Sequence, residues 1–222
     1  QLGEAVKNRA GSVSGRLKLT APLSFGNRQL APALVDFAKH YPEISLEVSF
    51  ADRVVSLVDE GFDAAVRIGQ QSDASLVARR LCESRIVAVA SPGYLEQYGG
   101  PAHPRDLAAH HCVVDTNFRD RNTWHFRERG TAVTVTVPSR LFLSNADACV
   151  AAAGAGLGIT QVPSFVAGDA IHAGRLLPLL RGFEPPPVPV QVIYPPGRHL
   201  ALKVRALVDF LARRQDAENR GL

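Results

Sequence analysis

Residues 15–50 run GRLKLTAPLSFGNRQLAPALVDFAKHYPEISLEVSF, and this stretch decides the fold. At each of its ends apolar and polar residues alternate, as they do in half-buried β-strands. The alternating apolar positions are Leu17, Leu19 and Ala21 at the start and Ile44, Leu46, Val48 and Phe50 at the end. Between these ends lies a helical apolar face formed by Leu30, Leu34, Phe37 and Ala38. Two strands joined by a helix of this length lie parallel with a right-handed crossover, so the stretch predicts a βαβ unit.

The loop between the first strand and the helix is the first candidate binding site. It contains Pro22, Leu23, Ser24 and Phe25. In open α/β sheets, ligands bind where a loop leaves the carboxyl end of a strand. Ser24 is predicted to cap the helix, and the backbone N–H groups that follow it attract a carboxylate; the alternative is that Ser24 only caps. Pro32 predicts a bend, or a helix that begins late, because proline interrupts a helix interior.

The composition indicates a soluble globular α/β protein with one large or two small domains. The chain has 222 residues, of which 46% are hydrophobic and 21% charged. No apolar run approaches the roughly 20 residues of a membrane-spanning helix, and no secretory signal is evident. The net charge of +4 is spread along the chain, which is weak evidence for nucleic-acid binding. Because there is no methionine at all, we expect the chain to begin partway through a longer protein.

The sequence contains no strong catalytic, metal or cofactor motif. Cys82, Cys112 and Cys149 are far apart and predict reduced thiols of a cytosolic protein. The adjacent residues His110, His111 and Cys112 do not converge easily on one metal ion. A glycine-rich GAGLG segment at 154–158 follows a helix and precedes a strand, the reverse of a dinucleotide site. The sequence therefore predicts no cofactor and favours binding over catalysis.

Further strands and helices follow the opening unit. Asp52 is predicted to cap a helix whose inner face is Val54, Val55, Leu57 and Val58. Strands are predicted at 63–68, 76–81 and 85–90, the last almost wholly apolar and therefore central. Ser91 and Pro92 predict the start of another helix, and this change of element is a candidate domain crossing.

The second half of the chain repeats the strand–helix pattern. A hairpin is predicted with its turn at Arg129 and Gly130. After a strand at 141–143, either Ser144 or Asn145 caps a helix, and Asp147 completes a pattern like a capping box. A second crossing is predicted at 194–197, before a last helix with Leu200, Val204, Leu207, Val208 and Leu211 on one face.

Eight segments of the sequence, taken in chain order, resemble those of a known family. The collinear segments are GRLKLTAPLSFG, HYPEISLEV, DRVVSLVDEGFDAAVRIG, SLVARRL, VAVASPGYL, RDLAAHHCVV, SNADACVAAAGAGLGITQVP and RHLALKVRALVDFL. Together they resemble the effector-binding region of LysR-type transcriptional regulators over residues 15–213. The resemblance implies an α/β fold with two Rossmann-like subdomains of periplasmic-binding-protein type, joined by two crossover strands, and a small-molecule site in the cleft between them.

The resemblance also implies domain boundaries and a function. Residues 1–14 are expected to end a linker helix, 15–90 with 196–222 to form subdomain I, and 91–195 to form subdomain II. The family's N-terminal winged helix-turn-helix is absent from this chain, so residues 1–222 alone are expected to bind DNA only nonspecifically. The implied function is that of a cytoplasmic sensor domain whose effector shifts the conformation of an oligomer and thereby transcription. The alternatives are a periplasmic solute-binding protein and an enzyme on the same scaffold.

The family's effector sites correspond to particular positions of this sequence. They are Pro22, Leu23, Ser24 and Phe25, then Ala51 and Asp52, then Ser144 and Asn145. Arg67 is a further candidate, with a structural salt bridge as its alternative. The effector is predicted to be a small anion, a carboxylate, held between Ser24 and the helix that begins near Ser144. Self-association is expected, as a dimer and as a tetramer in the full-length protein, with the small residues 151–155 as a close-packing face or as ordinary core.

Overall fold

The opening stretch forms the predicted βαβ unit. The structure, a computed structural model, describes residues 13–71, 73–197 and 201–220, with side chains to residue 215. Strands β1 (Gly15–Ala21) and β2 (Ile44–Phe50) are parallel and paired along their whole length. Most of the expected linker-helix end at 1–14, and Leu200 of the last helix, lie outside the described residues.

The connection between these strands begins with short helical turns. Helical turn α1 (Leu23–Phe25) runs into a π-helical turn (Gly26–Leu30), and helix α2 (Ala31–His40) follows. Pro32 lies in the first turn of α2, where its missing N–H has no intrahelical partner to lose. The regular α-helix therefore begins only at Ala31, although helical turns precede it without a break. The buried face is Leu30, Ala33, Leu34 and Phe37, whereas Ala38, predicted on that face, is exposed.

The first sheet has the strand order β2-β1-β3-β12-β4. Its other strands are β3 (Ala64–Ile68), β4 (Val77–Ser84) and β12 (Val188–Tyr194). Strand β3 is parallel to β1, and β12 is antiparallel to β3. Helix α6 (Leu202–Arg220) packs on β1 and α2, burying Val204, Leu207, Val208 and Leu211, four of the five positions predicted for its inner face.

The helix predicted after Asp52 is wrong. Residues 52–62 form irregular backbone and turns, closed by the hydrogen bond from Phe62 N–H to Leu57 C=O at 2.9 Å. Leu57 and Phe62 are buried, but Val54 is 90% exposed. Valine is stiff in a helix because of its branched β-carbon, and two buried anchors hold this segment without one.

The second sheet has the strand order β11-β5-β10-β6-β9. Its strands are β5 (Ile86–Ala90), β6 (Cys112–Asp115), β9 (Ser139–Leu143), β10 (Ile159–Pro163) and β11 (Leu177–Leu179). Strands β6, β9 and β10 are parallel, whereas β5 is antiparallel to both of its neighbours. Every residue of β5 is buried, and β5 lies between β11 and β10, so it is an interior strand of the sheet.

Different elements cover the two faces of this sheet. Helices α4 (Ala146–Gly154) and α5 (Ser164–His172) bury Cys149, Ala153 and Val166 on one face. On the other lie helix α3 (Pro92–Tyr98), a 3₁₀ helix (Pro104–Ala109) and the hairpin of β7 (Thr123–Glu128) and β8 (Thr131–Thr136). The hairpin turn at Arg129 and Gly130 is confirmed, since both residues have the positive φ that a two-residue turn requires.

By its internal contacts the chain divides into two units. The first holds the described residues up to Pro22, Gln29–Cys82, and those from Pro189 onward; the second holds Leu23–Arg28 and Glu83–Val188. These boundaries differ from those expected at 90/91 and 195/196, because β5 pairs with β10 and β11 in the second sheet and β12 pairs with β3 in the first. Among the described helices, none combines the length and apolar character needed to cross a bilayer.

Tyr94 organises the start of the second unit. Its N–H donates to Ser91 Oγ at 3.1 Å, which confirms Ser91 as the N-cap of α3. The phenol oxygen is 2.8 Å from His110 Nδ1 and accepts the N–H of His111 at 3.0 Å. Burial lowers the pKa of His110, outweighing the opposite effect of Asp106. A neutral His110 therefore accepts the phenol proton at Nδ1 and carries its own proton on Nε2.

We expect stability to decrease as the pH falls through the range in which free histidine titrates. Because the folded pKa of His110 is depressed, the unfolded chain takes up this proton first, and the folded state is disfavoured below about pH 6.5. Urea midpoints measured from pH 7.5 down to 5.5 should decrease, and His110→Gln should reduce the decrease. The exposed His172, changed to glutamine, is the control and should keep it. Equal pH dependence in the wild type and His110→Gln would contradict this assignment.

Candidate functional site

The carboxyl edge of the second sheet holds the first group of predicted site residues. Because β6, β9 and β10 are parallel, their carboxyl ends meet at one edge, the usual ligand-binding edge of an open α/β sheet. The segment Leu23–Arg28 belongs to this unit. The ring of Phe25, which is buried, packs edge-on against Phe165 with 5.4 Å between centroids. This aromatic contact fixes the segment beside α5.

Ser24 is hydrogen-bonded to a carboxylate. Its side chain is buried, and Oγ donates to Asp147 Oδ2 at 2.5 Å. Asn145 Nδ2 donates to the same hydroxyl at 3.4 Å. The predicted capping role of Ser24 is wrong, since Ser24 lies inside the α1 turn and its hydroxyl accepts from Asn145 Nδ2 rather than from a backbone N–H.

Arg28, which no sequence pattern indicated, completes this cluster. Its Nε and Nη2 donate to Asp147 Oδ1 at 3.2 and 2.6 Å, and its Nη1 donates to Asp169 Oδ2 at 3.1 Å. Burial alone raises the pKa of Asp147, but the hydrogen bonds from Ser24 and Arg28 and the charge of Arg28 together lower it. Asp147 is therefore an anion at neutral pH, held by a hydroxyl and a guanidinium.

The start of α4 resolves the alternative between Ser144 and Asn145. Asn145 Oδ1 accepts the N–H of Ala148 at 3.1 Å, so Asn145 is the N-cap. The carboxylate of Asp147 does not complete a capping box, because it turns to Ser24 and Arg28 instead. Ser144 is exposed, and its carbonyl accepts a hydrogen bond from Asn117 Nδ2 at 2.8 Å. Ser24 and Asn145 are thus brought into contact, and Ser144 is the chain neighbour of Asn145.

The second group of predicted residues lies at the carboxyl edge of the first sheet. Pro22, Ala51 and Asp52 follow the parallel strands β1 and β2, and the N–H of Ala51 donates to the carbonyl of Ala21 at 2.9 Å. Arg67 is near the end of β3, where burial lowers its pKa and the charge of Asp52 opposes that shift. Whether both groups of residues face one cleft stays a prediction.

Two further polar residues lie beside Arg67, and no sequence pattern indicated them. Gln191 pairs with Arg67 across the β3–β12 ladder, and Thr20 pairs with Ala65, two residues before Arg67. All three side chains therefore share one face of the sheet. Thr20 Oγ1, Arg67 Nη2 and Gln191 Oε1 are buried without a hydrogen-bond partner among the described residues. Buried polar atoms rarely lack a partner in native proteins, and each one that does requires an explanation, such as a functional role.

Comparison with known proteins identifies the family. The sequence model described as "LysR substrate binding domain" matches residues 10–216. An uncharacterized HTH-type transcriptional regulator of Haemophilus influenzae is 33% identical over 196 residues, covering 88% of this chain and 68% of that protein. The HTH-type transcriptional regulator PtxR of Pseudomonas aeruginosa is 34% identical over 206 residues, covering 93% and 66%.

Solved structures agree with the sequence relatives. The regulatory domain of CrgA, a LysR-type transcriptional regulator from Neisseria meningitidis, has a TM-score of 0.78 at 27% identity, covering 91% of this chain and 99% of that one. This confirms the predicted periplasmic-binding-protein-like fold. The chain spans about two thirds of the length of the curated relatives. The family consists of transcriptional regulators rather than enzymes, and this chain belongs to it as a LysR-type regulatory, effector-binding domain.

Proposed function

We propose that this domain senses a small organic acid and transmits its presence to transcription through a DNA-binding domain elsewhere in the full-length protein. The observation that carries the proposal is the carboxylate of Asp147 held by Ser24 and Arg28 at the carboxyl edge of the second sheet. The family match supports an effector-binding role, and these donors indicate the chemistry of the effector. In the cell we place the protein in the cytoplasm, where its operator would be.

The donors at Ser24 and Arg28 suit an acid from outside the chain as well as Asp147. A buried hydroxyl and a guanidinium form charge-assisted hydrogen bonds to a carboxylate, and these bonds are stronger than neutral ones. Asp147 is bound by them but is itself 39% exposed, so its side chain can turn toward water when another carboxylate takes its place. Asp147 therefore acts as an internal competitor for the effector.

Neutralising Asp147 should strengthen the binding of acids. In Asp147→Asn the side chain keeps its shape, but the repulsion between two carboxylates, several kcal/mol at short range and intermediate permittivity, is removed. We expect carboxylates to bind at least roughly tenfold more tightly, as measured by calorimetry on the best acid from a thermal-shift screen. Ser24→Ala should weaken the binding of the same acid by about 1 kcal/mol or more, because the hydrogen bond from the hydroxyl is lost.

Amide analogues of the same acids are the matched control. Their affinity should change little in Asp147→Asn, because they carry no charge. If acids and amides respond equally to this change, the effector is not an acid. If neither the acids nor the amides bind the domain, and no compound changes operator binding by the full-length protein, the proposed sensing role is wrong.

We further propose that the domain self-associates. Of the small residues expected to form a packing face, Ala152 and Ala153 are buried in the core of the second unit, whereas Ala151, Gly154 and Ala155 are exposed. The exposed three lie where α4 ends and allow a close approach of another backbone.

A further inference from the structure

A cavity lies at the edge of the second sheet opposite to the Ser24 cluster. Strands β6, β9 and β10 begin at this amino edge, whereas Ser24 and Asn145 lie at the carboxyl edge. The cavity has a volume of about 380 Å³. This is within the range of small-molecule sites, roughly 300–1,000 Å³. Its lining includes His110, Arg140, Leu141 and Leu157, none of which contributes to the Ser24 cluster.

A β-bulge places Arg140 in the wall of this cavity. Cys112 pairs with Ser139 and the next residue, Val113, pairs with Leu141, so Arg140 is an extra residue in β9. Ser139 fixes the bulge: its Oγ accepts the N–H of Leu141 at 3.1 Å and donates to the carbonyl of Leu141 at 2.9 Å. Bulges commonly redirect a side chain at a functional site. No carboxylate in the described part of the chain forms a salt bridge with Arg140.

His110 supplies a second donor. Its Nδ1 is engaged by the phenol of Tyr94 at 2.8 Å, which leaves the proton on Nε2. Tyr94 is itself fixed by the N–H of His111 and is 1% exposed, so the imidazole is held in place before any ligand arrives. The cavity thus combines a guanidinium with an oriented N–H donor.

Two leucines supply an apolar part of the lining. Leu141 and Leu157 line the cavity, and Leu157 directly precedes Gly158, whose backbone touches that of His111. The N–H of Ile159 donates to the carbonyl of His111 at 2.9 Å, which anchors this contact. An apolar body with one charged end therefore fits the lining.

We propose that this cavity is a second ligand site, which takes a small organic anion. Its acidic group lies against Arg140 and the Nε2–H of His110, and its apolar body lies against Leu141 and Leu157. The inference rests on residues separate from the Ser24 cluster and stands whether or not the effector proposed above is an acid.

Titration with simple acids tests the site. The probes are benzoate and hexanoate, which offer flat and linear apolar bodies, with benzamide and hexanamide as uncharged analogues. Methyl resonances of Leu141 and Leu157 are followed by NMR in the 222-residue chain. At least one acid should shift both resonances at millimolar concentration. At the same concentration, the shifts caused by its amide should be at least tenfold smaller.

Variants decide between this cavity and other sites. Arg140→Gln should weaken the binding of the acid at least tenfold, because the variant lacks a charge-assisted hydrogen-bond partner. The matched control Arg181→Gln changes an exposed arginine of the same unit and should have no effect. Ser24→Ala should leave the shifts unchanged. The proposal is overturned if neither acid shifts the two leucines, if Arg140→Gln binds as wild type does, or if Ser24→Ala abolishes the shifts.

Discussion

Replacement of Gly158 by alanine is expected to destabilise the second unit by about 3 kcal/mol, the sum of a strained backbone and an overpacked contact. Gly158 has φ +152°, and a Cβ there would lie 2.4 Å from the carbonyl oxygen of His111. That oxygen accepts the N–H of Ile159, so it does not move away without breaking the β6–β10 ladder. Neither the clash nor the backbone angle is relieved by a side-chain rotation.

The single tryptophan makes this effect measurable. Trp124 is buried in the second unit, so its fluorescence during urea unfolding reports on that unit. The matched control is Gly168→Ala in α5, where the added methyl meets no atom within 4 Å apart from its chain neighbours and the backbone of its own helix. Alanine is favoured over glycine in a helix by about 1 kcal/mol, so this variant should be more stable than wild type. A Gly158→Ala midpoint equal to that of wild type would show that the backbone contact is not tight.

Truncation of Phe37 is expected to have the largest effect in the first unit. Phe37 is fully buried on α2, and its ring meets Phe210 of α6 edge-on at 5.5 Å. Phe37→Ala removes the ring from the contact between these helices and should cost about 3–5 kcal/mol. Hydrogen exchange of the β1 and β2 amides measures this loss, because those strands lie in the same unit.

The control for this variant is on the same helix. Val35 is 55% exposed, so Val35→Ala should change stability by no more than about 0.5 kcal/mol. If the β1 and β2 amides are as well protected from exchange in Phe37→Ala as they are in Val35→Ala, then the packing of α6 does not depend on this ring.

Local sequence patterns predicted most of the elements. The alternation in β1, the proline in the first turn of α2, the Ser91 cap and the Arg129–Gly130 turn each arise from residues close together in the chain. These features depend on backbone preferences that the sequence displays directly. The family resemblance supplied the two-subdomain architecture, which no single local pattern contains.

Long-range partners could not be predicted in the same way. Ser24 and Asp147 are 123 positions apart, and Arg28 and Asp147 are 119 apart, so no spacing rule connects them. Asp147 has the position of a capping acid, and only the fold shows that its stronger partners lie elsewhere. The prediction of a helix after Asp52 was wrong for a related reason. Its valines have helical spacing, but Val54 and Val58 do not pack against another part of the fold and stay exposed.

The bond between Ser24 and Asp147 has a consequence for dose response. A competitor attached to the same chain has a fixed effective concentration, which dilution of the protein does not change. Under the function proposed above, a free acid would have to exceed the threshold set by that tethered carboxylate before it occupied the donors. On that proposal, substitution at position 147 alone would change the concentration at which the sensor responds and would leave the donors Ser24 and Arg28 in place.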